Sequence, residues 1–381
     1  MCRETVFTGG ILILIYCKGR KRCYYDVKGW HFLMNILVTG GAGFIGSNFI
    51  KHMLATYDYT IVNYDLLTYA GNLENLESSQ SNPQYHFVKG DINDKKLLNE
   101  VFQRFSINIV INFAAESHVD RSIQKPSIFL QTNIFGTHVL LETARKYWKV
   151  NPLDIQCTKY RDNVKYIQIS TDEVYGDLRN GGYFTEETNL SPNSPYSASK
   201  ASADLIVQAY YETYEFPIAI TRCSNNYGPY QFPEKLIPLL IQRAVNGEEI
   251  PIYGDGKQVR DWLHVEDHCT AIDAVLHKGK IGEVYNIGGN NEKENIEIAR
   301  LLLILLGKSD NLITFVKDRL GHDRRYAIDN TKITQALGWS PSYSFEKGIE
   351  ATISWYLDNQ DWLDCIQADE YLTNVSTTPV T

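Results

Sequence analysis

Two groups of titratable residues lie close together in this chain: Ser170-Thr171-Asp172-Glu173-Val174-Tyr175-Gly176 and, after a polar connection, Tyr196-Ser197-Ala198-Ser199-Lys200. A tyrosine and a lysine four residues apart share one helical face. The ammonium is therefore expected to lower the phenol from its usual pKa of about 10 and make it a base for a hydroxyl. The carboxylates of Asp172 and Glu173 read either as an independent acid/base pair or as a solvated turn after a strand. If they border the same pocket as the Tyr-Lys pair, the site holds more than a simple dehydrogenase needs.

Such residues need a frame, and the pattern from Asn35 onward supplies one by alternating short β-rich runs with longer helix-period segments. Strands are predicted at Ile36–Thr39, Thr60–Tyr64, Tyr85–Lys89, Ile109–Phe113, Tyr166–Ser170 and Ile218–Arg222. Helices are predicted at Ile45–Leu54, Lys95–Phe105, Ile128–Tyr147 and Ala198–Tyr214. This alternation predicts an α/β fold, a Rossmann-type doubly wound parallel sheet covered on both faces, with ligands beyond the carboxyl ends of its strands. The later third is more mixed. Strands at Ile250–Tyr253 and Val284–Ile287 and helices near Leu236–Val245, Val265–Leu276, Ile296–Leu306 and Phe345–Tyr356 predict a smaller mixed α/β C-terminal substrate lobe.

The first strand runs into Gly40-Gly41-Ala42-Gly43-Phe44-Ile45-Gly46 and then a helix. Glycines at 40, 43 and 46 permit a tight turn, close approach to a pyrophosphate and close helix-strand packing, with the helix N-terminus facing the anion. Glycine-rich turns also arise for structural reasons alone. Asp65, 19 residues beyond Gly46 at the end of the second strand, can accept from adenine-ribose hydroxyls, although a helix-capping aspartate would look the same. Its charge disfavours a 2′-phosphate, so NAD is expected rather than NADP. Asp91-Ile92 and Ala114-Ala115, after the third and fourth strands, would flank the adenine and nicotinamide-ribose ends.

The 381 residues, 44% hydrophobic and 22% charged, allow a large core and more than one lobe. A net charge of -8 argues against nucleic acid as the main partner. The seven cysteines form no C-x-x-C pair, which suits reduced thiols and a cytoplasmic location, and no metal-ligand spacing appears around His118 or His264. Val6 to Cys17 is too short to span a bilayer and precedes its basic cluster, the reverse of a signal peptide. Residues 1–33 are thus read as an extension outside the fold, with a membrane or partner anchor as the competing reading. The expected division continues with a dinucleotide-binding domain over 34–224, a second, substrate lobe over 225–365 and a tail over 366–381.

The glycine pattern, Asn112-Phe113-Ala114-Ala115 and Tyr196-x-x-x-Lys200 resemble the extended short-chain dehydrogenase/reductase superfamily. Further stretches narrow the likeness: Asp65-Leu66-Leu67-Thr68-Tyr69-Ala70-Gly71-Asn72, Glu116-Ser117-His118-Val119-Asp120-Arg121-Ser122, Asn225-Asn226-Tyr227-Gly228-Pro229, Tyr253-Gly254-Asp255-Gly256, Arg260-Asp261-Trp262 and Asp318-Arg319-Leu320-Gly321-His322-Asp323. With Thr171-Asp172-Glu173, which the related 4-epimerases do not carry as an acidic pair, they resemble the dTDP-glucose 4,6-dehydratase family. The likeness covers roughly Met34 to Trp362.

The resemblance implies roles. Tyr196, beside Lys200, would take the proton from O4 of a hexose while hydride leaves C4. Glu173 would take the C5 proton, Asp172 would protonate the departing O6 hydroxyl, hydride would return to C6, and Thr171 would hydrogen-bond near O4. NAD would stay tightly bound, regenerated each turnover, with Leu66, Thr68, Ser117 and Thr132 added to its contacts. Ser117, Asn225, Lys235, Leu236, Pro238, Pro251, Tyr253, Arg260, Asn295, Arg319 and His322 would surround the nucleotide sugar dTDP-glucose, Arg260 as a fork on its pyrophosphate. A homodimer through Ile128–Tyr147 and Ala198–Tyr214, and a place in deoxysugar (rhamnose-type) supply for polysaccharide, are implied in the same way. The alternatives are a UDP-sugar 4-epimerase or decarboxylase, against which the acidic pair argues, and a non-catalytic nucleotide-binding protein.

Overall fold

The computed structural model describes residues 23–26, 29–32, 34–179 and 181–366. Its centre is a seven-stranded, wholly parallel sheet in the order Val284–Ile287, Ile218–Cys223, Lys165–Thr171, Ile109–Asn112, Asn35–Thr39, Thr60–Asp65, Tyr85–Lys89. The inner strands are buried on both faces, and Asn35–Thr39 and Ile109–Asn112 accordingly carry apolar runs, while Lys165–Thr171 and Ile218–Cys223 also bury the polar Gln168, Ser170, Thr221 and Arg222. Two apolar clusters cover them. One packs Phe49, Ile50 and Met53 against Ile272 and Val275, the other Leu98, Phe102, Leu141 and Trp148 against Val62, Val110 and Tyr166.

From Asn35–Thr39 the chain winds outward through Thr60–Asp65 to Tyr85–Lys89, then crosses to Ile109–Asn112 on the other side. That reversal opens a crevice at the carboxyl ends of Asn35–Thr39 and Ile109–Asn112. The glycine turn and Ala114 meet there.

The predicted strands agree with those observed to within a residue or two. One assignment needs correction: Val284–Ile287, expected in the second lobe, is the seventh strand of the large sheet, in register with Ile220 to Cys223. A second concerns the long helix predicted over Ile128–Tyr147. The chain there is helical from Pro126, with a π-helical stretch over Leu130–Gly136 before the α-helix Thr137–Trp148.

The second lobe has a three-stranded sheet ordered Glu292–Glu294, Val259–His264, Asn225–Tyr227, and the parallel pair Ile250–Tyr253 and Ile313–Val316. Helices Leu236–Asn246, Asn295–Leu305 and Phe345–Asp358 enclose its core of Ile237, Leu240, Leu302, Ile349 and Tyr356. Ile366, placed by the sequence at the head of a tail, is buried in this core, and the rest of that tail, 367–381, lies outside the described residues. The N-terminal extension also lies mostly outside them. Cys23–Asp26 and Gly29–Phe32 pair antiparallel with each other and with no other described strand. Among the described residues no helix is long and apolar enough to cross a membrane.

Candidate active site

At the crevice, the glycine turn is shaped by exclusion of side chains. Gly40 has φ +69°, and a Cβ on it would lie 2.7 Å from the Ala114 nitrogen; one on Gly46 would lie 2.4 Å from the Gly40 oxygen. Only glycine allows both contacts. The helix Phe44–Thr56 that follows has no side-chain cap at Gly43, so its first N–H groups are left for an anion. Asp65 is buried. Its Oδ2 accepts from the Ala42 N–H at 2.9 Å and its Oδ1 from the Leu67 N–H at 2.8 Å. Each oxygen keeps a lone pair, which suits two ribose hydroxyls. A cradle closed to any Cβ, an uncapped helix start and a fixed carboxylate together fit a dinucleotide without a 2′-phosphate.

Asp91 lies beyond the third strand, with its Oδ1 accepting from the Asn93 N–H at 2.8 Å, and Ile92 beside it is buried. Thr132 lies on the π-helical stretch. Asn133 in the same stretch donates to Ser199 Oγ at 2.8 Å, tying that stretch to the helix that bears Tyr196.

That helix, Pro195–Tyr214, starts three residues before the predicted Ala198. Ser194 and Ser197 form a capping box and Pro195 occupies the first turn. Tyr196 and Lys200 are buried one turn apart against the end of Lys165–Thr171, and Lys200 Nζ donates to the Ile169 carbonyl at 2.7 Å. The expected lowering of the phenol by Lys200 is not what the folded chain gives. Burial pushes Tyr196 well above its ordinary value, and the charges of Glu173, Cys223 and Asp172 add to it, while a hydrogen bond with Thr171 opposes them. Lys200 is itself pushed down by burial, against the pull of Asp204. The i, i+4 spacing correctly brings the two side chains onto one face, but it does not reveal how dry that face is.

Asp172 and Glu173 form the first turn after Thr171, whose hydroxyl accepts from the Glu173 N–H at 3.3 Å and reaches Asp172 Oδ1 at 3.3 Å. The solvated-turn reading fails, because Asp172 is 1% exposed and its Oδ2 has no hydrogen-bond partner among the described residues. The two carboxyls then diverge through their surroundings. Asp172 is held well above the usual carboxylate range by burial, then by the charges of Glu173 and Asp261. Glu173, also raised by burial, faces the cations Arg319, Arg260 and Lys235, which pull it back. One site thus offers a proton donor and a proton acceptor side by side.

The residues expected around a nucleotide sugar converge from several elements. Lys235, at the start of Leu236–Asn246, donates to the Ser117 carbonyl at 3.0 Å, so the second lobe touches the loop after the fourth strand. Leu236 and Pro238 lie on that helix. Asn225 Oδ1, Asn295 Oδ1 and Arg319 Nε are buried with no hydrogen-bond partner among the described residues. Arg260 is 5% exposed and donates to the carbonyls of Val259 at 2.8 Å and Asp323 at 3.0 Å. Of its five N–H donors, two are thus committed to the main chain. Pro251 and Tyr253 lie on one strand, and the Tyr253 ring meets His322 edge-on at 6.3 Å. His322, hydrogen-bonded to Asp318 at 2.6 Å, is lowered by burial to about 4.

Sequence reasoning missed a second layer. Tyr326 is buried against the Arg260 guanidinium, 4.3 Å from its ring, and its hydroxyl donates to Asp323. Asp261 accepts from the Gly289 and Asn291 N–H groups at 2.8 and 2.6 Å. Cys223, buried at the end of its strand, contacts the Ser170 carbonyl at 3.5 Å. Asp261 stands inside the Arg260-Asp261-Trp262 stretch without an assigned role, and Tyr326 and Cys223 carry no signal beyond lying near recognised motifs.

A family model described as GDP-mannose 4,6 dehydratase matches residues 37–352. A dTDP-glucose 4,6-dehydratase of Xanthomonas campestris pv. campestris is 53% identical over 344 residues, 88% of this chain and 96% of the relative. The crystal structure of the dTDP-glucose 4,6-dehydratase of Bacillus anthracis in complex with NAD is 54% identical, with a TM-score of 0.79 over 87% of this chain and 99% of that one. That of Streptomyces venezuelae, also with NAD bound, is 44% identical, with a TM-score of 0.81 over 87% of this chain and 100% of the other.

Proposed function

This chain belongs to the GDP-mannose 4,6 dehydratase family, and from that premise we propose that it dehydrates dTDP-glucose to dTDP-4-keto-6-deoxyglucose in an NAD-dependent reaction. It is a hydro-lyase. The observation that carries the reading is the split pair, Asp172 sealed and unpartnered beside Glu173 among cations. An enzyme that only inverts C4 has no task for such a pair.

NAD, when bound, supplies the hydride acceptor for C4, the hydride donor for C6 and a positive charge beside the Tyr196 phenol. Gly40, Gly43 and Gly46 would hold its pyrophosphate and Asp65 its adenine ribose. Tyr196 removes the O4 proton as the 4-keto group forms, with Thr171 aligning hydroxyl and phenol. The ketone acidifies C5, and Glu173 takes that proton. Asp172 passes its own proton to the O6 hydroxyl, which leaves as water, so both carboxyls end with exchanged protonation states. Glu173 returns a proton to C5 as hydride is added at C6, and the O4 proton taken by Tyr196 is released to make good the one Asp172 gave up, which restores every group to its starting state. Arg260, Arg319 and Lys235 are assigned to the diphosphate side, where their charges also oppose the upward push of burial on Glu173. Residues 34–224 then carry the catalytic groups and 225–365 mainly hold the nucleotide sugar.

Alkali converts a 4-keto-6-deoxy sugar nucleotide into a near-ultraviolet chromophore, so side-by-side incubation with dTDP-, UDP- and CDP-glucose tests the reading. The dTDP sugar is expected to lead, over UDP by roughly tenfold, the low end of what one methyl is worth in an apolar pocket. No chromophore from any of the three would reject dehydration.

Reduced thiols at the described cysteines suit a cytoplasmic enzyme serving deoxysugar (rhamnose-type) synthesis. A second copy of the chain is the partner that best suits Phe135 and Leu205, 57% and 55% exposed on neighbouring helical segments. Phe135→Asp with Leu205→Asp should halve the mass in sedimentation at assay concentrations. An unchanged mass would place the contact elsewhere.

A further inference from the structure

One turn beyond Lys200, and two beyond Tyr196, the same helix face carries Asp204, which is fully buried. Arg222, 2% exposed, donates from Nε to Asp204 Oδ2 at 2.9 Å and from its terminal nitrogen to the Tyr175 hydroxyl at 2.9 Å. Tyr175 donates onward to Asn286 Oδ1 at 2.8 Å, and the Asn286 N–H donates to Glu186 at 2.8 Å. Each group in this chain has one consistent role as donor or acceptor. Arg222 stands opposite Ser170 on one side and Asn286 on the other. Tyr175 closes the turn that bears Asp172 and Glu173. The network therefore joins the helix of Tyr196 and Lys200, the strand beside it and the turn of the two carboxyls.

Stability alone gives a weak reason for such a pair, because the desolvation cost of a buried ion pair commonly matches or exceeds its attraction, and an apolar pair of similar volume does as well. We propose that Asp204 and Arg222 are positioning residues for the dehydration proposed above, fixing Lys200 and, through Tyr175, the Asp172-Glu173 turn relative to Tyr196. The charges that act on Lys200 are those of Asp204 on its own helix and Cys223 on the adjacent strand; Tyr196 lies one turn before it on the helix, and Arg222, next to Cys223, is paired to Asp204. On the helical segments packed across from it, His138 and Glu142 instead meet Tyr210. Of these groups Asp204 is the foremost in holding the proton on buried Lys200.

The test compares the parent with Asp204→Asn and with the volume-matched pair Asp204→Leu/Arg222→Met, reading kcat, KM, the pH profile and the melting temperature. Both variants should lose roughly tenfold in kcat with KM little changed. Their alkaline limb should move to lower pH, because Lys200 without its carboxylate gives up its proton sooner. The double variant should melt no lower than the parent. A double variant with the parent's kcat and alkaline limb overturns the proposal, and so does any variant that loses activity and melting temperature together with the limb in place, since that is a structural role only. The reading of the function fails separately, if the parent itself makes no 4-keto product.

Discussion

Glu173→Gln should cut kcat by about 10²–10⁴-fold, the usual worth of a positioned general base, and should abolish solvent exchange of the C5 proton. The amide keeps the size and shape of the carboxylate but cannot accept that proton. Binding should survive, and the electrostatics say why. Glu173 faces Arg319, Arg260 and Lys235, so making it neutral leaves the pocket more positive toward a diphosphate, and KM should stay level or fall. A drop in kcat without a rise in KM separates a lost proton transfer from a collapsed site. Deuterium uptake at C5, followed by NMR in heavy water beside the alkaline chromophore, reads the step directly. Uptake at the parent's rate would take the base away from Glu173 and leave Asp172 or a solvent chain in its place.

How far this chemistry was legible beforehand depended on the distance over which each cause acts. The glycine turn, the strand ends and the Tyr196–Lys200 spacing are local, and they fold as local rules require. The fate of Val284–Ile287 is not local: a four-residue, mostly apolar strand satisfies either sheet, and it is the long-range pairing with Ile220–Cys223 that places it in the large one. Burial was the larger omission. Nothing in Tyr-x-x-x-Lys says that both side chains are sealed, so the direction of the Tyr196 shift came out reversed. Likewise Asp261 lies about 90 residues from Asp172, and its charge reaches that carboxyl only once the second lobe packs on the first.

The remaining expectation concerns Asp172, where activity and stability should move in opposite directions. Its folded pKa lies well above the ordinary 3.8, so at intermediate pH the native state holds a proton that the unfolded chain has released. Stability linked to this group is complete below about pH 4 and is lost as pH rises toward the folded value. Asp172→Asn removes that titration while keeping the shape of the neutral acid. The variant should therefore melt higher than the parent at pH 7, with the gain disappearing below about pH 4. Its kcat should fall by about 10²–10⁴-fold, because an amide cannot protonate the leaving O6 hydroxyl. Differential scanning calorimetry across this pH range, paired with initial rates, tests both halves. A variant that melts no higher at pH 7 would mean that Asp172 is ionised in the folded enzyme, and the proton for O6 would then have to come from another group. The buried Asp172 Oδ2, which has no partner among the described residues, makes the opposite result the expected one. An ionised oxygen in that position would have neither a hydrogen-bond donor nor water to replace its lost hydration.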